Sequence, residues 1–219
     1  METVVKNGPG KGRVGKAGRL TRERVIDAGR QVAAAKGFDS LTMTGVAKSL
    51  GSVTMSLYYH VRDKDDLIAG MLDAVASELS FPDRHEEPIE DLTAIFGVFY
   101  ETFLREPWVV RCLVEGHPGS PKVEPLVERA VIALENLGLH GAEAGHAFIS
   151  LLHYTYGEVM VLEATSLKKH FVTPLDALNF PAIARTLGQI ELETLDRDPY
   201  YGNLRRILVG YDRRDPKST

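Results

Sequence analysis

Apolar residues recur at helical spacing along most of this chain, and strand-like alternation of apolar and polar residues is absent. Val25 and Val32 lie on one such stripe, and a second stripe begins at residue 67. Further helices are predicted over residues 89–104, 108–114, 123–137, 142–167 and 200–211. A polar segment with two prolines, residues 80–88, predicts a loop, and Pro174 and Pro181 interrupt the pattern again. The pattern therefore predicts an all-α fold.

Capping residues divide the first third of the chain into short helices. Thr21, Thr42 and Asp63 each precede an apolar stripe, and a threonine or aspartate oxygen can accept a hydrogen bond from a free backbone N–H at a helix start. Gly37 and Gly51 follow the first and second stripes, where glycine commonly ends a helix. We therefore expect a helix from Thr21, a second from Thr42 and a fourth from Asp63.

The third helix, residues 54–60, is predicted to be short and to expose a polar face. If Leu57 and Val61 point to the core, then Ser52, Met55, Ser56 and Tyr59 point away from it, with Tyr58 and His60 on the flanks. Hydroxyl groups and a methionine suit base edges in a DNA major groove, whereas tyrosine, histidine and lysine donors at the rim suit phosphates. The pattern is typical of a helix-turn-helix, although an ordinary helical hairpin with a polar outer face stays an alternative.

The segment LTMTGVAKSLGSVTMSLYYHVRDKDDLI resembles the N-terminal domain of TetR-type transcriptional repressors. In that family a Thr-capped helix leads to Leu-Gly and then to a short helix that ends in Leu-Tyr-x-His-Val. The resemblance implies that Thr44, Thr54, Met55 and Ser56 face bases, and that Thr42, Tyr58, Tyr59, His60 and Lys64 hold the DNA backbone or the groove edge. Two positions depart from the pattern. The order Ser52-Val53 could shift the start of the third helix by one residue, and Gly45 costs its helix about 1 kcal/mol relative to alanine.

Composition and charge agree with DNA binding. Residues 1–66 contain 12 Lys/Arg against 7 Asp/Glu, a net charge of +5, and residues 67–219 contain 14 against 23, a net charge of −9. A basic domain on an acidic one suits contact with phosphates. No apolar run reaches the roughly 18–20 residues of a membrane span, and no apolar segment follows the charged N-terminus as in a secretory signal. The single cysteine, Cys112, fits a reducing cytoplasm, where we expect the protein to act.

We expect three parts: a disordered basic arm (1–19), a helix-turn-helix domain (20–66) and a helical domain for effector binding and dimerisation (67–219). The arm either solubilises the chain or lies along DNA. The segments REPWVVRCLVEGHPG, ALENLGLHGAEAGHAF and LLHYTYGEVMVLEA make the third part similar to the C-terminal domain of tetracycline repressors. The resemblance implies a homodimer, for which we assign the interface to Ala142–Leu167 and Tyr200–Tyr211, and a small molecule held between central helices.

Aromatic residues with a few polar groups suit the wall of an effector pocket, although each of them can equally be plain core. The predicted wall comprises Phe96, Phe99, Tyr100, Phe103, Trp108, Cys112, His117, His153, Tyr154 and Glu158. In tetracycline repressors a histidine helps to bind a magnesium chelated by the drug. No clear counterpart stands near Cys112, and His140 and His146 lack partners for a zinc site, so we predict neither a metal nor another cofactor.

The sequence therefore predicts a DNA-binding regulator, a repressor released from a palindromic double-stranded operator by a small-molecule effector. A transcriptional activator would use the same DNA-binding domain and stays an alternative. An enzyme with a helical body is a third possibility. It is disfavoured because the chain has no P-loop, nucleophile elbow, dinucleotide fingerprint or HExxH motif.

Overall fold

The computed structural model describes residues 19–167, 179–182 and 197–214, and within these ranges it contains helices and no strand, which confirms the predicted all-α fold. The α-helices are α1 (Arg22–Lys36), α2 (Met43–Ser49), α3 (Thr54–Leu57), α4 (Lys64–Ser77), α5 (Pro88–Arg105), α6 (Trp108–Val114), α7 (Glu124–Asn136), α8 (Ala142–Leu167) and α9 (Arg197–Tyr211). Two 3₁₀ turns, Phe38–Ser40 and Pro121–Val123, precede α2 and α7. The predicted basic arm, apart from Arg19, and Pro174 lie outside the described residues.

The predicted caps begin three of these helices. The Thr21 hydroxyl accepts a hydrogen bond from the Arg24 N–H (3.3 Å), and Thr42 accepts one from the Gly45 N–H (3.0 Å). Asp63 caps α4 by accepting from the Asp66 N–H at 2.7 Å. A Cβ at residue 45 would lie 3.0 Å from the Thr42 Oγ1, but Arg24 and Asp66 occupy the equivalent position under the other two caps, so the cap does not require glycine.

The helix-turn-helix has a sharp turn and a third helix that is shorter than the sequence predicts. Gly51 takes a positive φ of 63°, which lets the chain turn sharply between α2 and α3. α3 ends at Leu57 rather than His60, because the His60 N–H bonds the Leu57 carbonyl in a three-residue turn instead of continuing the helix. At its start, Val53 takes the N-cap position without a side-chain hydrogen bond.

Helices α1 to α3 form a unit that we call the head, and α5 to α9 form the body. α4 packs along α1 and buries the five apolar residues predicted for it: Leu67, Ile68, Met71, Leu72 and Val75. Within the body, α5 packs against α7, α8 and α9. The Tyr200 hydroxyl of α9 donates to the Phe96 carbonyl of α5 (3.2 Å) and lies 3.0 Å from the Thr155 hydroxyl of α8. These bonds fasten α9 to the body.

Polar and aromatic contacts join the head to the body. Arg30 of α1 pairs with Glu78, just after α4 (2.5 Å), and with Glu106, just after α5 (2.6 Å). Phe38, which follows α1, stacks on Trp108 of α6 with ring centroids 6.4 Å apart. The head therefore contacts directly the ends of α4 and α5, through Arg30, and α6, through Phe38.

Candidate DNA-binding surface and ligand cavity

The outward face of α3 carries the side chains that the sequence predicts to contact DNA. Leu57 is fully buried, whereas Met55 is 67% exposed and Tyr59 is 84% exposed. Tyr58 is 48% exposed, and Ser56 is half-buried. α3, anchored by one buried leucine, therefore presents a hydroxyl and a thioether, and the turn that follows it presents two phenol rings to solvent. This set can meet both base edges and phosphates.

The remaining predicted contacts lie on α2, at the start of α3 and around the start of α4. Thr42 and Thr44 are exposed at the N-terminal end of α2, and Thr54 and His60 are half-buried. Lys64 is exposed, and its Nζ lies 5.7 Å from the centroid of the Phe38 ring. The DNA-contact roles of all nine residues stay predictions.

An ion pair that sequence reasoning missed orients this surface. The Arg22 guanidinium of α1 binds both carboxylate oxygens of Asp66, each at 3.0 Å, and also donates to the His60 carbonyl at 2.8 Å. Asp66 further accepts the Arg62 N–H at 2.9 Å. The Arg22 guanidinium and the Arg62 N–H hold the pKa of the Asp66 carboxyl well below its usual range. The turn that carries His60 is thereby tied to the first residue of α1.

An apolar cavity of about 240 Å³, partly open to solvent, lies between α4 and the helices of the body. Five helices contribute to its wall, together with the connector between α6 and α7. The lining residues are Leu72, Val75 and Ala76 of α4, Leu79 after it, Phe99, Thr102 and Phe103 of α5, Val109 and Leu113 of α6, Gly119, Ser120 and Val123 of the connector, Val127 of α7, and Phe148, Leu152 and Tyr156 of α8. No residue in this lining carries a charge.

Of the ten residues predicted to form the effector pocket, only Phe99 and Phe103 line this cavity. Phe96 packs edge-on against Phe99 of the same helix and also contacts Phe148 of α8, each with ring centroids 5.8 Å apart. Trp108 stacks on Phe38 and donates its indole N–H to Glu106 at 2.6 Å. These aromatic side chains are core and interface residues, because each packs against another element of the fold rather than facing empty space.

Three of the other predicted residues belong to a separate aromatic cluster. Tyr100 and Tyr154 stack on Tyr200, with centroids 3.7 Å and 5.5 Å apart, and Glu158 lies beside Tyr154. Burial, together with the Glu158 carboxylate, raises the pKa of the Tyr154 hydroxyl. This cluster joins α5, α8 and α9 and leaves no space for a ligand at its centre.

The last three predicted residues also lie outside the cavity wall. Cys112 is fully buried, and burial raises the pKa of its thiol to about 12. His117 packs edge-on against Phe38 at 5.8 Å, and His153 is exposed. The sequence nevertheless indicated part of the cavity wall. Phe148, Leu152 and Tyr156 stand four residues apart, so they share one face of α8, and all three line the cavity.

The described part of the chain contains no cluster of three or more His, Cys, Asp or Glu side chains that could hold a metal ion. A search of the same residues found no helix that is long and apolar enough to cross a membrane.

Comparison with known proteins places these features in a family. A family model described as bacterial regulatory proteins of the tetR family matches residues 25–71, and one described as a tetracyclin repressor-like C-terminal domain matches residues 81–210. The chain is 41% identical to the tetracycline repressor protein class D of Escherichia coli over 207 residues, covering 89% of this chain and 90% of that protein.

Two further proteins extend this comparison. The HTH-type transcriptional repressor DrrR1 of Streptomyces coeruleorubidus is 31% identical over 144 residues, which cover 63% of this chain and only 52% of DrrR1. The chain thus spans about half the length of that relative. The crystal structure of the Streptomyces coelicolor TetR family protein ActR in complex with (S)-DNPA superposes with a TM-score of 0.69. It is 24% identical and covers 89% of this chain and 98% of ActR, so it bears on the fold alone.

Proposed function

The chain belongs to the TetR family of bacterial transcriptional regulators, and we propose that it is a repressor that leaves a palindromic operator when a small molecule occupies the cavity in its body. Members of this family regulate transcription rather than catalyse a reaction. The observation that carries the proposal is the exposed outer side of α3 and the turn after it, where Met55 and Tyr59 flank the buried Leu57 and extend into solvent. Solvent-exposed apolar side chains on so short a helix suit insertion into a groove.

We assign base contacts to Thr44, Thr54, Met55 and Ser56, and backbone or groove-edge contacts to Thr42, Tyr58, Tyr59, His60 and Lys64. Support comes from exposure and from chemistry. Met55 can contact a thymine methyl group, and a threonine or serine hydroxyl can bond several base edges. Lys64 stands at the start of α4, a position that also favours an anion.

A homodimer completes the proposed mechanism, because one short helix reads only a few base pairs. Two heads about 34–36 Å apart would read two half-sites of a palindrome. We assign the dimer interface to α8 and α9. In support, Ile149 and Val161 of α8 and Val209 of α9 are about half exposed in the single chain. Apolar residues at these positions would be covered by the same helices of a second copy.

The link between effector and DNA is proposed to run through α4. Leu72, Val75 and Ala76 of α4 line the cavity, and Asp66, in the first turn of the same helix, binds Arg22 of the head. Effector binding releases DNA only if the effector binds more tightly to an arrangement of α4 that does not fit the operator than to the arrangement that does. ActR, whose crystal structure contains (S)-DNPA, is a precedent for ligand binding on this fold.

The test is fluorescence anisotropy of the full-length protein on duplexes selected from a random pool, with the salt concentration titrated. We expect a two-fold symmetric site and a steep dependence of affinity on salt. Tyr58→Ala should weaken binding to every sequence. Phe81→Ala provides a matched control, because Phe81 is an aromatic residue of the loop between α4 and α5, with 49% exposure against 48% for Tyr58. Weak binding that ignores sequence, or equal loss in both variants, would contradict the proposal.

A further inference from the structure

We propose that the cavity takes an uncharged aromatic molecule of one or two rings that carries a hydrogen-bond-accepting oxygen, such as a bicyclic ketone. This inference rests on the proposed function, since it names the chemical class of the effector.

The size of the cavity limits the ligand. An engineered protein cavity of roughly 150 Å³ accommodates benzene, and pockets for drug-sized ligands measure roughly 300–1,000 Å³. The cavity of about 240 Å³ lies between these values. It has room for a second ring beyond benzene.

The wall excludes a charged ligand. None of the described residues that line the cavity has an ionisable acid or base near neutral pH, so a buried ion would find no partner there. The Ser120 hydroxyl of the wall donates to the Asp73 carboxylate of α4 at 2.5 Å. An anion in the cavity would meet that carboxylate behind the wall, and the Ser120 proton is already engaged. A drug that binds as a metal chelate finds no ligand for its metal in the described wall.

The aromatic part of the wall favours a planar ligand. The rings of Phe99 and Phe103 lie nearly parallel, 6.1 Å apart, and Tyr156 meets Phe103 edge-on at 5.5 Å. Phe148 of α8 also lines the cavity. A flat ring can stack on some of these faces and meet the edges of others, which adds to the hydrophobic contribution of burial.

Tyr156 supplies the polar contact. Tyr156 lines the cavity and is one of three hydroxyl-bearing residues in its wall, beside Thr102 and Ser120. Burial raises the pKa of Tyr156, so the phenol stays protonated and acts as a neutral donor. A ketone oxygen on the ligand is the matching acceptor. Thr102 provides a second hydroxyl in the wall.

The test is isothermal titration calorimetry of the full-length protein, without DNA, against three bicyclic probes. 1-Tetralone is the uncharged ketone, tetralin lacks the oxygen, and 1-naphthoate is the anion. We expect 1-tetralone to bind more tightly than tetralin and 1-naphthoate not to bind. Tyr156→Phe should weaken 1-tetralone about 5-fold and leave tetralin unchanged, as expected for loss of one neutral hydrogen bond.

Two further variants keep the experiment decisive. Tyr154→Phe is the matched control, because Tyr154 belongs to α8 but lies outside the wall, and it should change neither affinity. Leu152→Trp should fill the cavity and abolish binding of both uncharged probes, with folding checked by thermal melting. The inference is overturned if 1-naphthoate binds as tightly as 1-tetralone, if Tyr154→Phe weakens 1-tetralone while Tyr156→Phe does not, or if a folded Leu152→Trp protein still binds.

A second readout separates this inference from the proposed function. The same probes are added to the protein bound to its selected duplex. Binding of 1-tetralone without release of DNA would support the ligand class and contradict release by an effector. Release by magnesium and tetracycline, with no binding of 1-tetralone, would support release and overturn the ligand class.

Discussion

The ion pair between Arg22 and Asp66 makes the sharpest prediction about the stability of the DNA-binding surface. Asp66→Asn keeps the shape of the side chain and removes its charge. Asp66 accepts hydrogen bonds from both ends of the Arg22 guanidinium and from the Arg62 N–H. Its side chain is only 11% exposed, whereas that of Arg22 is 42% exposed.

These exposures set the expected magnitude. Hydrogen bonds to charged groups contribute about 1.5–3 kcal/mol each in mutational series, but exposure of Arg22 lets solvent screen part of the attraction. We therefore expect Asp66→Asn to lower the free energy of unfolding by about 2 kcal/mol. In a double-mutant cycle with Arg22→Met, the coupling should be about 1 kcal/mol. Urea denaturation at one fixed protein concentration measures both values.

The pH dependence gives this prediction a second test. The pKa of Asp66 is lower in the folded than in the unfolded protein, so its charge stabilises the fold fully above about pH 4, the ordinary range of an aspartate. As the pH falls through the folded pKa, that stabilisation is lost. The difference between the wild type and Asp66→Asn should shrink accordingly.

Asp65→Asn is the matched control, because Asp65 is exposed, stands in the same turn of α4 and carries the same charge. Its effect should be much smaller than that of Asp66→Asn. Equal effects of the two substitutions, or a coupling of zero in the cycle, would refute the view that the Arg22 bond orients the turn and would leave only the general effect of charge at a helix start.

Three further predictions follow from other parts of the chain. Met55→Ala should change the preferred base at one part of each half-site while leaving non-specific affinity nearly unchanged; a uniform loss across sequences in a selection experiment would contradict its assignment to base edges. Gly51→Ala should destabilise the protein by about 1–2 kcal/mol in urea denaturation, because Gly51 has a φ of 63°, whereas a loss below about 0.5 kcal/mol would mean that the turn can relax. The Cys112 thiol should resist alkylation in the native protein at pH 8 and react after unfolding, since it is fully buried and its pKa is raised to about 12; rapid native labelling, measured by mass spectrometry, would disagree.

Local signals predicted the helices well, because caps and apolar stripes act within a few residues. The structure confirms the predicted bounds of α6 and α8 at both ends. The early end of α3 could not be predicted, because a single carbonyl, that of Leu57, accepts the His60 N–H and ends the helix.

The cavity was harder to predict than the DNA-binding surface. Exposure on α3 follows from periodicity once Leu57 is placed inward, so the outward residues could be named in advance. The cavity instead depends on where packing leaves space, and an aromatic side chain is equally suited to filling space or to lining it. Tyr154 and Tyr156 illustrate the point: they stand two residues apart on α8, yet only Tyr156 lines the cavity.

Because α4 packs on α1 and also lines the cavity, it is constrained from both sides. A chimeric regulator that joined this DNA-binding unit to the sensor of a relative at residue 66 would separate α4 from one of its two partners. A junction in the loop at residues 79–87 would keep the contacts of α1 with α4. The cavity of the new sensor would then be lined on one side by α4 residues from a different protein. Exchange of sensors between relatives should therefore succeed only when the α4 residues that face the cavity, Leu72, Val75 and Ala76, are exchanged together with the sensor.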